Sequence, residues 1–150
     1  MPSDPGTYAL IMAAREHRCL RIGRLGSLAL RPGWYVYVGS AFGPGGVRAR
    51  LAHHRKPAAR PHWHVDHLRP HAALKRAWYT RDPRRREHQW AAILLRLPGA
   101  EVPLPGFGSS DCGCPSHLVR FNRRPSLRAF RRVIRSQFPQ HAPVSSIITA

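Results

Sequence analysis

The chain has 150 residues, of which 43% are apolar, and this is enough for one domain with a real core. Its 25 Lys and Arg residues against 7 Asp and Glu give a formal net charge of +18, which favours a polyanionic partner such as nucleic acid. The apolar run at 8–14 is too short to cross a bilayer, no basic export signal opens the chain, and three cysteines do not make a disulfide framework. We therefore expect a cytoplasmic protein with no membrane partner.

The first third of the chain predicts strands and then a helix. Residues 8–13 and 19–22 have the composition of strands, and 34–39 is a third, strongly β-prone run. The glycine-rich segment 43–46 then breaks the chain before a helix over 47–56.

The rest of the chain alternates helical and extended patterns. We expect a strand at 74–80, a helix that begins at Pro83 and runs to about residue 97, and a long Pro/Gly/Ser loop at 98–117. A short helix at 63–71 and a basic helix at 127–138 complete the pattern, and the last dozen residues resemble a loose tail. The sequence thus predicts an α/β (α+β) domain over 1–138 with a short, mainly antiparallel sheet, followed by a tail over 139–150.

Two tyrosines come from strands that would be neighbours. Within 34–39 the side chains alternate, so Tyr35 and Tyr37 share one face. A phenol with a reference pKa of about 10 is a weak base, and it becomes useful when cations nearby favour the phenolate. Tyr8 and Tyr37 are therefore candidate catalytic groups, with Tyr35 as a substitute for Tyr37. The alternative is that they are ordinary strand tyrosines.

Arg50 and His54 lie four residues apart and so share one face of the helix at 47–56. An arginine fork can clamp a phosphate oxygen through two hydrogen bonds, and a histidine can orient water or move a proton. The glycine segment before this helix would add exposed backbone N–H groups suited to phosphate. The alternative is a solvated basic helix.

Glu87 is a lone acid in a basic helix. It shares a face with Trp90, Ala91 and Leu94, where a carboxylate is costly unless it is paired or binds a metal. Mg²⁺ takes oxygen ligands, often one carboxylate with substrate phosphate and water. The alternative is a salt bridge to a nearby arginine or a place at the rim of the apolar stripe.

Two further patterns suggest metals. The residues 62–67 read His-Trp-His-Val-Asp-His, which matches the two-metal motif of metallo-β-lactamase-type hydrolases, but the chain is short for that fold and lacks the glycines that usually follow. The sequence therefore favours a structural role or a DNA-facing His/Trp edge for this pattern. Cys112, Cys114 and His117 are three soft ligands within six residues, and they could form part of a structural zinc site with a fourth ligand from elsewhere. The alternative for the second pattern is a tight loop with free thiols.

Together, Gly6-Thr7-Tyr8, Tyr37-Val38-Gly39, the Arg50–His54 helix and Glu87 resemble the GIY-YIG nuclease family over roughly 6–97. The runs at 37–43 and 106–112 resemble a small stand-alone branch of that family with no settled function. The resemblance implies a three-stranded antiparallel sheet with flanking helices, here with an extra C-terminal loop and helix.

The resemblance also implies roles for individual residues. It implies an endonuclease that hydrolyses DNA phosphodiester bonds with one Mg²⁺ or Mn²⁺ held by Glu87. Tyr37 or Tyr8 helps to activate water, Arg50 stabilises the phosphorane charge, and His54 takes the position of a hydrogen-bonding Tyr or His. The nucleic-acid contacts would come from Ser40, Arg48, Arg55 and Lys56.

The sequence departs from the family at three points. Thr7 replaces the usual aliphatic middle residue, which is a minor change, and Ser40 stands where some repair-type members carry a lysine. The late asparagine of several members has no clear match in this chain. Two other functions remain open on the sequence: a nucleic-acid-binding module of the same fold that does not cut, and a basic protein of the ribosome or of RNA metabolism.

Overall fold

The computed structural model describes residues 3–109 and 113–149, and these form an α+β fold. Within them the sheet has five strands in the order β6-β4-β1-β5-β7, and β2 and β3 form a separate hairpin. The strands are β1 (Gly6–Ala14), β2 (Arg18–Ile22), β3 (Gly26–Leu30), β4 (Gly33–Ala41), β5 (Ala73–Thr80), β6 (Leu118–Phe121) and β7 (Val144–Ile148). The helices are α1 (Gly46–Arg55), α2 (His64–Leu68), a 3₁₀ turn (Arg69–His71), α3 (Glu87–Arg96) and α4 (Leu127–Gln137).

Strand β1 is the centre of the sheet, and every neighbouring pair of strands is antiparallel. Its residues are buried almost throughout because both faces of the sheet are covered. A central strand of this kind has a continuous apolar run instead of an alternating one, as its sequence does. The register places Tyr8 opposite Gly39, so the two tyrosine-glycine motifs lie side by side.

Two cores lie on opposite faces of the sheet. The first contains Tyr8, Tyr35 and Tyr37 and lies against α1, α2 and the hairpin. The second contains Val36 and Val38 and lies against the apolar faces of α3 and α4. The predicted alternation of β4 is therefore confirmed.

The prediction of a three-stranded sheet is wrong in strand number. Strands β4, β1 and β5 form its centre, but β6 pairs with β4 and β7 pairs with β5 at the two edges. Strand β7 also shows that residues 144–148 are not a loose tail. Its sequence, Val-Ser-Ser-Ile-Ile, is short and half polar, which is typical of an edge strand and hard to distinguish from coil.

Helix α3 begins at Glu87 and not at Pro83. The Asp82 carboxylate accepts a hydrogen bond from Arg84 N at 2.9 Å and forms a buried ion pair with Arg86 at 3.2 Å. In addition, Arg86 N donates a hydrogen bond to Thr7 Oγ1 at 3.2 Å. Because these contacts hold 82–86 in a turn, Glu87 becomes the first helical residue.

The predicted helices at 47–56 and 127–138 are confirmed to within one residue. In the described part of the chain, no helix has the length and apolar character needed to cross a membrane.

Candidate functional site

Tyr8 and His54 bring β1 and α1 into direct contact. The Tyr8 hydroxyl lies 2.8 Å from His54 Nε2, and both side chains are about 1% exposed. Gly39 makes room for this contact, because a Cβ there would lie 2.4 Å from the Tyr8 ring and from its hydroxyl oxygen. Position 39 is therefore a glycine because the Tyr8 side chain occupies the space that a side chain there would need.

Tyr37 lies beside this pair, and Tyr35 does not take part in it. The Tyr37 ring centroid is 6.5 Å from that of Tyr8 and 6.3 Å from that of His54. The Tyr35 hydroxyl instead accepts from Arg31 N at 3.1 Å and donates to Arg31 O at 3.3 Å. Tyr35 therefore fixes the turn before β4.

Arg50 lies one turn before His54 on α1 and reaches the same site. Its guanidinium stacks on the Trp63 ring, 4.3 Å from the ring centroid. It also acts on Tyr8 through its charge and a side-chain hydrogen bond, both of which lower the pKa of Tyr8. Stacking on Trp63 limits the freedom of a long side chain and so aims its charge at the tyrosines.

The two tyrosines are protonated in the free protein. Burial and then the nearby Tyr37 raise the pKa of Tyr8 well above 10, in spite of Arg50. Burial and then the charge of Glu87 raise the pKa of Tyr37 as well. Neither phenol is a base unless a bound cation or a proton acceptor changes this balance.

His54 is the hydrogen-bond acceptor for Tyr8. Burial, and then the neighbouring His53, lower its pKa to about 3, so the imidazole is neutral at physiological pH. Its Nδ1 faces the Asp66 carboxylate at 3.9 Å, and we assign the ring proton to that nitrogen. Nε2 then accepts the hydrogen bond from Tyr8.

Arg69 holds the end of α1 and with it the His54 backbone. Its buried guanidinium donates to the carbonyl oxygens of His54 at 2.7 Å, Arg55 at 3.0 Å and Ala72 at 2.7 Å. The carbonyls of His54 and Arg55 are among those that the C-terminus of α1 leaves without helical partners. The position of His54 is therefore set by the backbone as well as by packing.

Asp66 is a buried carboxylate that the sequence did not single out as a member of this site. It accepts from His62 N at 2.8 Å and Trp63 N at 3.0 Å, and His53 Nε2 lies 3.1 Å away. Burial would raise its pKa, but these hydrogen bonds outweigh burial and lower it, so the group is charged. Asp66 caps α2 and places a negative charge behind His54.

The pattern at 62–67 does not form a site of its own. Asp66 caps the helix, while His64 Nδ1 accepts a hydrogen bond from Gly108 N at 2.8 Å. The ligand atoms of Asp66 do gather with those of His53 and His54, all within 4.8 Å of one another. Of this motif, Asp66 is the residue that joins the group around His54.

Glu87 lies at the rim of the site. Its carboxylate is 24% exposed and lies 3.8 Å from His117 Nδ1 and 3.9 Å from His88 Nε2. Arg86, the arginine before it, pairs with Asp82 instead. Glu87 thus presents a carboxylate to solvent, and its charge acts on both tyrosines.

The four residues predicted to contact nucleic acid differ in their exposure to solvent. Arg48, Arg55 and Lys56 are exposed on α1 and at its C-terminal cap. Ser40 lies on the other face of the sheet from Tyr8 and Tyr37, and its Oγ is buried without a hydrogen-bond partner among the described residues. Of the predicted contacts, the three basic residues are accessible to a ligand.

Two of the N–H groups at the start of α1 are not free to bind a phosphate. Gly46 N donates to Gly43 O at 3.2 Å, and Val47 N donates to Asp4 O at 3.0 Å. Both groups are therefore satisfied within the chain.

Two of the three predicted zinc ligands lie at the edge of the same site. Cys112 is outside the described residues, but Cys114 and His117 are described, and His88 joins them. The ligand atoms of these three residues lie within 4.8 Å of one another. The sequence left the remaining ligand unassigned, and the histidine that approaches is the one directly after Glu87.

Comparison with known proteins gives a family and no function. No curated protein and no solved structure matches the chain significantly. A family model described as a domain of unknown function, DUF123, matches residues 7–138. Because this match covers most of the chain, the protein belongs to the DUF123 family.

Proposed function

We propose that this protein is a metal-dependent endonuclease of GIY-YIG type that hydrolyses DNA phosphodiester bonds. The observation that carries the proposal is the convergence of Tyr8, Tyr37, Arg50 and His54 on one spot, with Glu87 at its rim. These groups supply a cation, a proton acceptor and a carboxylate within one site, which hydrolysis of a phosphodiester requires.

Glu87 fits a Mg²⁺ or Mn²⁺ ligand. It is a single, partly exposed carboxylate, and Mg²⁺ is commonly bound by one or two carboxylates together with water and substrate phosphate. A divalent cation there would neutralise charge on the scissile phosphate.

The protein's own residues suit the remaining steps. Arg50 can donate two hydrogen bonds to the phosphate oxygens, with its orientation set by Trp63. Tyr8 can accept a proton from the attacking water while it passes its own proton to His54 Nε2. Asp66, behind His54, favours the imidazolium that results.

A second function is a nucleic-acid-binding module that does not cut. The raised pKa values of Tyr8 and Tyr37 favour it, because buried neutral tyrosines are also typical of a sheet core. The net charge of +18 on the protein would suit binding without cleavage as well as it suits a nuclease.

Cleavage separates the two functions. We expect nicking of DNA when Mg²⁺ or Mn²⁺ is present and none in a chelator, with RNA substrates run in parallel to detect an RNA preference. Glu87→Gln should abolish cleavage and leave DNA affinity nearly unchanged, because it removes a metal charge and not a phosphate clamp. Glu16→Gln is the matched control, since Glu16 is an exposed acid that pairs with Arg18. Wild-type cleavage by Glu87→Gln would reject the metal assignment, and binding without cleavage would favour the second function.

A further inference from the structure

A cluster of soft metal ligands lies beside Glu87, and the proposed nuclease chemistry does not use it. His88 is the second residue of α3, and Cys114 and His117 belong to the segment that leads into β6. Their ligand atoms lie within 4.8 Å of one another, and the two imidazole rings are 5.7 Å apart. The other candidate group, His53, His54 and Asp66, is already engaged in hydrogen bonds to Tyr8 and to the backbone.

We propose that His88, Cys114 and His117 bind a zinc ion. Zinc bonds of about 2.0–2.3 Å to nitrogen and sulfur place tetrahedral ligand atoms roughly 3.3–3.8 Å apart. Separations of at most 4.8 Å therefore need to close by no more than about 1.5 Å. His88 is exposed at the first turn of α3, so its side chain is free to make that movement.

The chemistry of the ligand set selects zinc over Mg²⁺. A thiolate and two imidazoles are soft or borderline ligands, which Mg²⁺ and Ca²⁺ avoid. Cys114 releases its thiol proton when it binds the metal.

The half of the site on the loop is held in place by the backbone. His117 N donates to Phe107 O at 2.8 Å, and His117 O accepts from Val38 N at 2.9 Å. Gly106 N donates to Pro115 O at 2.9 Å, which ties the two sides of the loop together. Cys114 and His117 therefore sit on a frame attached to β4, and His88 supplies the adjustable ligand.

The consequence is a link between the loop and the start of α3. Glu87 lies directly before His88, so a zinc ion held by these residues would fix the turn that carries the Glu87 carboxylate. This role differs from that of the hard cation proposed for Glu87 itself, and it does not depend on DNA cleavage.

The test is zinc binding by the full chain, measured without DNA by competition with a chromophoric chelator. We expect one zinc ion per chain. Removing a residue that only orients a metal ligand lowers metal affinity by about 10–100-fold. Because His88→Asn and Cys114→Ser remove the proposed ligands themselves, each variant should lower zinc affinity by at least that factor. Cys19→Ser and His17→Asn are matched controls at exposed positions and should bind as the wild type does. Because His88 is exposed, its variant should fold normally.

Two results would overturn the proposal: wild-type protein that binds no zinc, or His88→Asn and Cys114→Ser variants that bind it as tightly as the controls. Cobalt substitution should add a thiolate-to-metal absorption band in the wild type, and its absence would exclude a cysteine ligand. Glu87→Gln should keep its zinc while it loses cleavage. Loss of zinc in that variant would overturn the separation of the two sites. Because zinc binding is measured without DNA, zinc binding and nuclease activity can fail independently.

Discussion

The Tyr8 hydroxyl and His54 Nε2 are 2.8 Å apart and shielded from solvent, and this contact joins the central strand to the first helix. The pKa values on its two sides are shifted in opposite directions: burial raises that of Tyr8 and lowers that of His54. Both groups are therefore neutral at rest. In the free protein the proton therefore stays on Tyr8. Its transfer to His54 requires a bound cation and substrate that lower the pKa of Tyr8, and the Asp66 charge behind His54 favours the imidazolium that would result.

Tyr8→Phe should reduce cleavage by about a hundred- to ten-thousandfold, the usual contribution of a proton-transfer group. It should also lower the free energy of unfolding by about 1–3 kcal/mol, because His54 Nε2 stays buried without its partner. Cleavage assays and urea unfolding measure the two effects. Tyr35→Phe is the control, since it loses only contacts to the Arg31 backbone and should cleave normally. If only the control is inactive, the proton path has been assigned to the wrong tyrosine.

Arg50→Ala should lose about a hundredfold or more in kcat, together with some DNA affinity, because it removes charge stabilisation in the transition state. Arg50→Lys should recover only part of this, since an ammonium cannot replace the planar fork or its stacking on Trp63. Arg48→Ala, which removes an exposed charge two residues earlier, should weaken binding slightly and leave kcat unchanged. Full activity of the Arg50→Lys variant would show that Arg50 is only a solvated positive charge.

Acid should destabilise the fold through His54. Its pKa falls from 6.5 in the unfolded chain to about 3 in the folded protein, mainly because it is buried. At pH values between these two pKa values, the unfolded state binds more protons than the folded state does. The part of the free energy of unfolding that depends on a neutral His54 is therefore complete above the unfolded pKa, and it is lost as the pH falls toward the folded pKa. His54 should therefore contribute about 1.4 kcal/mol per pH unit to the slope of the free energy of unfolding against pH.

Urea unfolding between about pH 4 and about pH 7 measures this slope. His54→Gln should flatten it, whereas His17→Gln, at an exposed position, should not change it. Equal slopes in wild type and His54→Gln would mean that His54 is charged in the folded protein.

DNA binding should weaken steeply with salt, because a net charge of +18 with exposed arginines along α1 is suited to phosphate contacts. A footprint of about five phosphates predicts a log–log slope of roughly −4 on duplex DNA. Binding titrations at several salt concentrations give the slope. A flat response would show that the positive charge does not form the interface.

Local patterns were sufficient for part of the fold. The alternation in β4 correctly separated Tyr35 and Tyr37 from Val36 and Val38, because side-chain direction in a strand depends only on its period. The edge strands β6 and β7 were missed because a short edge strand is recognised by its partner and not by its composition. The start of α3 was misplaced because Asp82 and Thr7, and not propensity, decide it.

The sequence by itself determined which chemical groups the site could use: two tyrosines with their glycines, an arginine and a histidine one helical turn apart, and a lone acid. Only the tertiary structure decided which of them meet. It separated Tyr35 from Tyr37 by giving Tyr35 the Arg31 backbone as a partner, and it placed Asp66 behind His54. It also brought His88 to Cys114 and His117 across more than twenty residues of chain. Such contacts arise from long-range packing of strands and loops, and periodicity and spacing along a chain do not encode them locally.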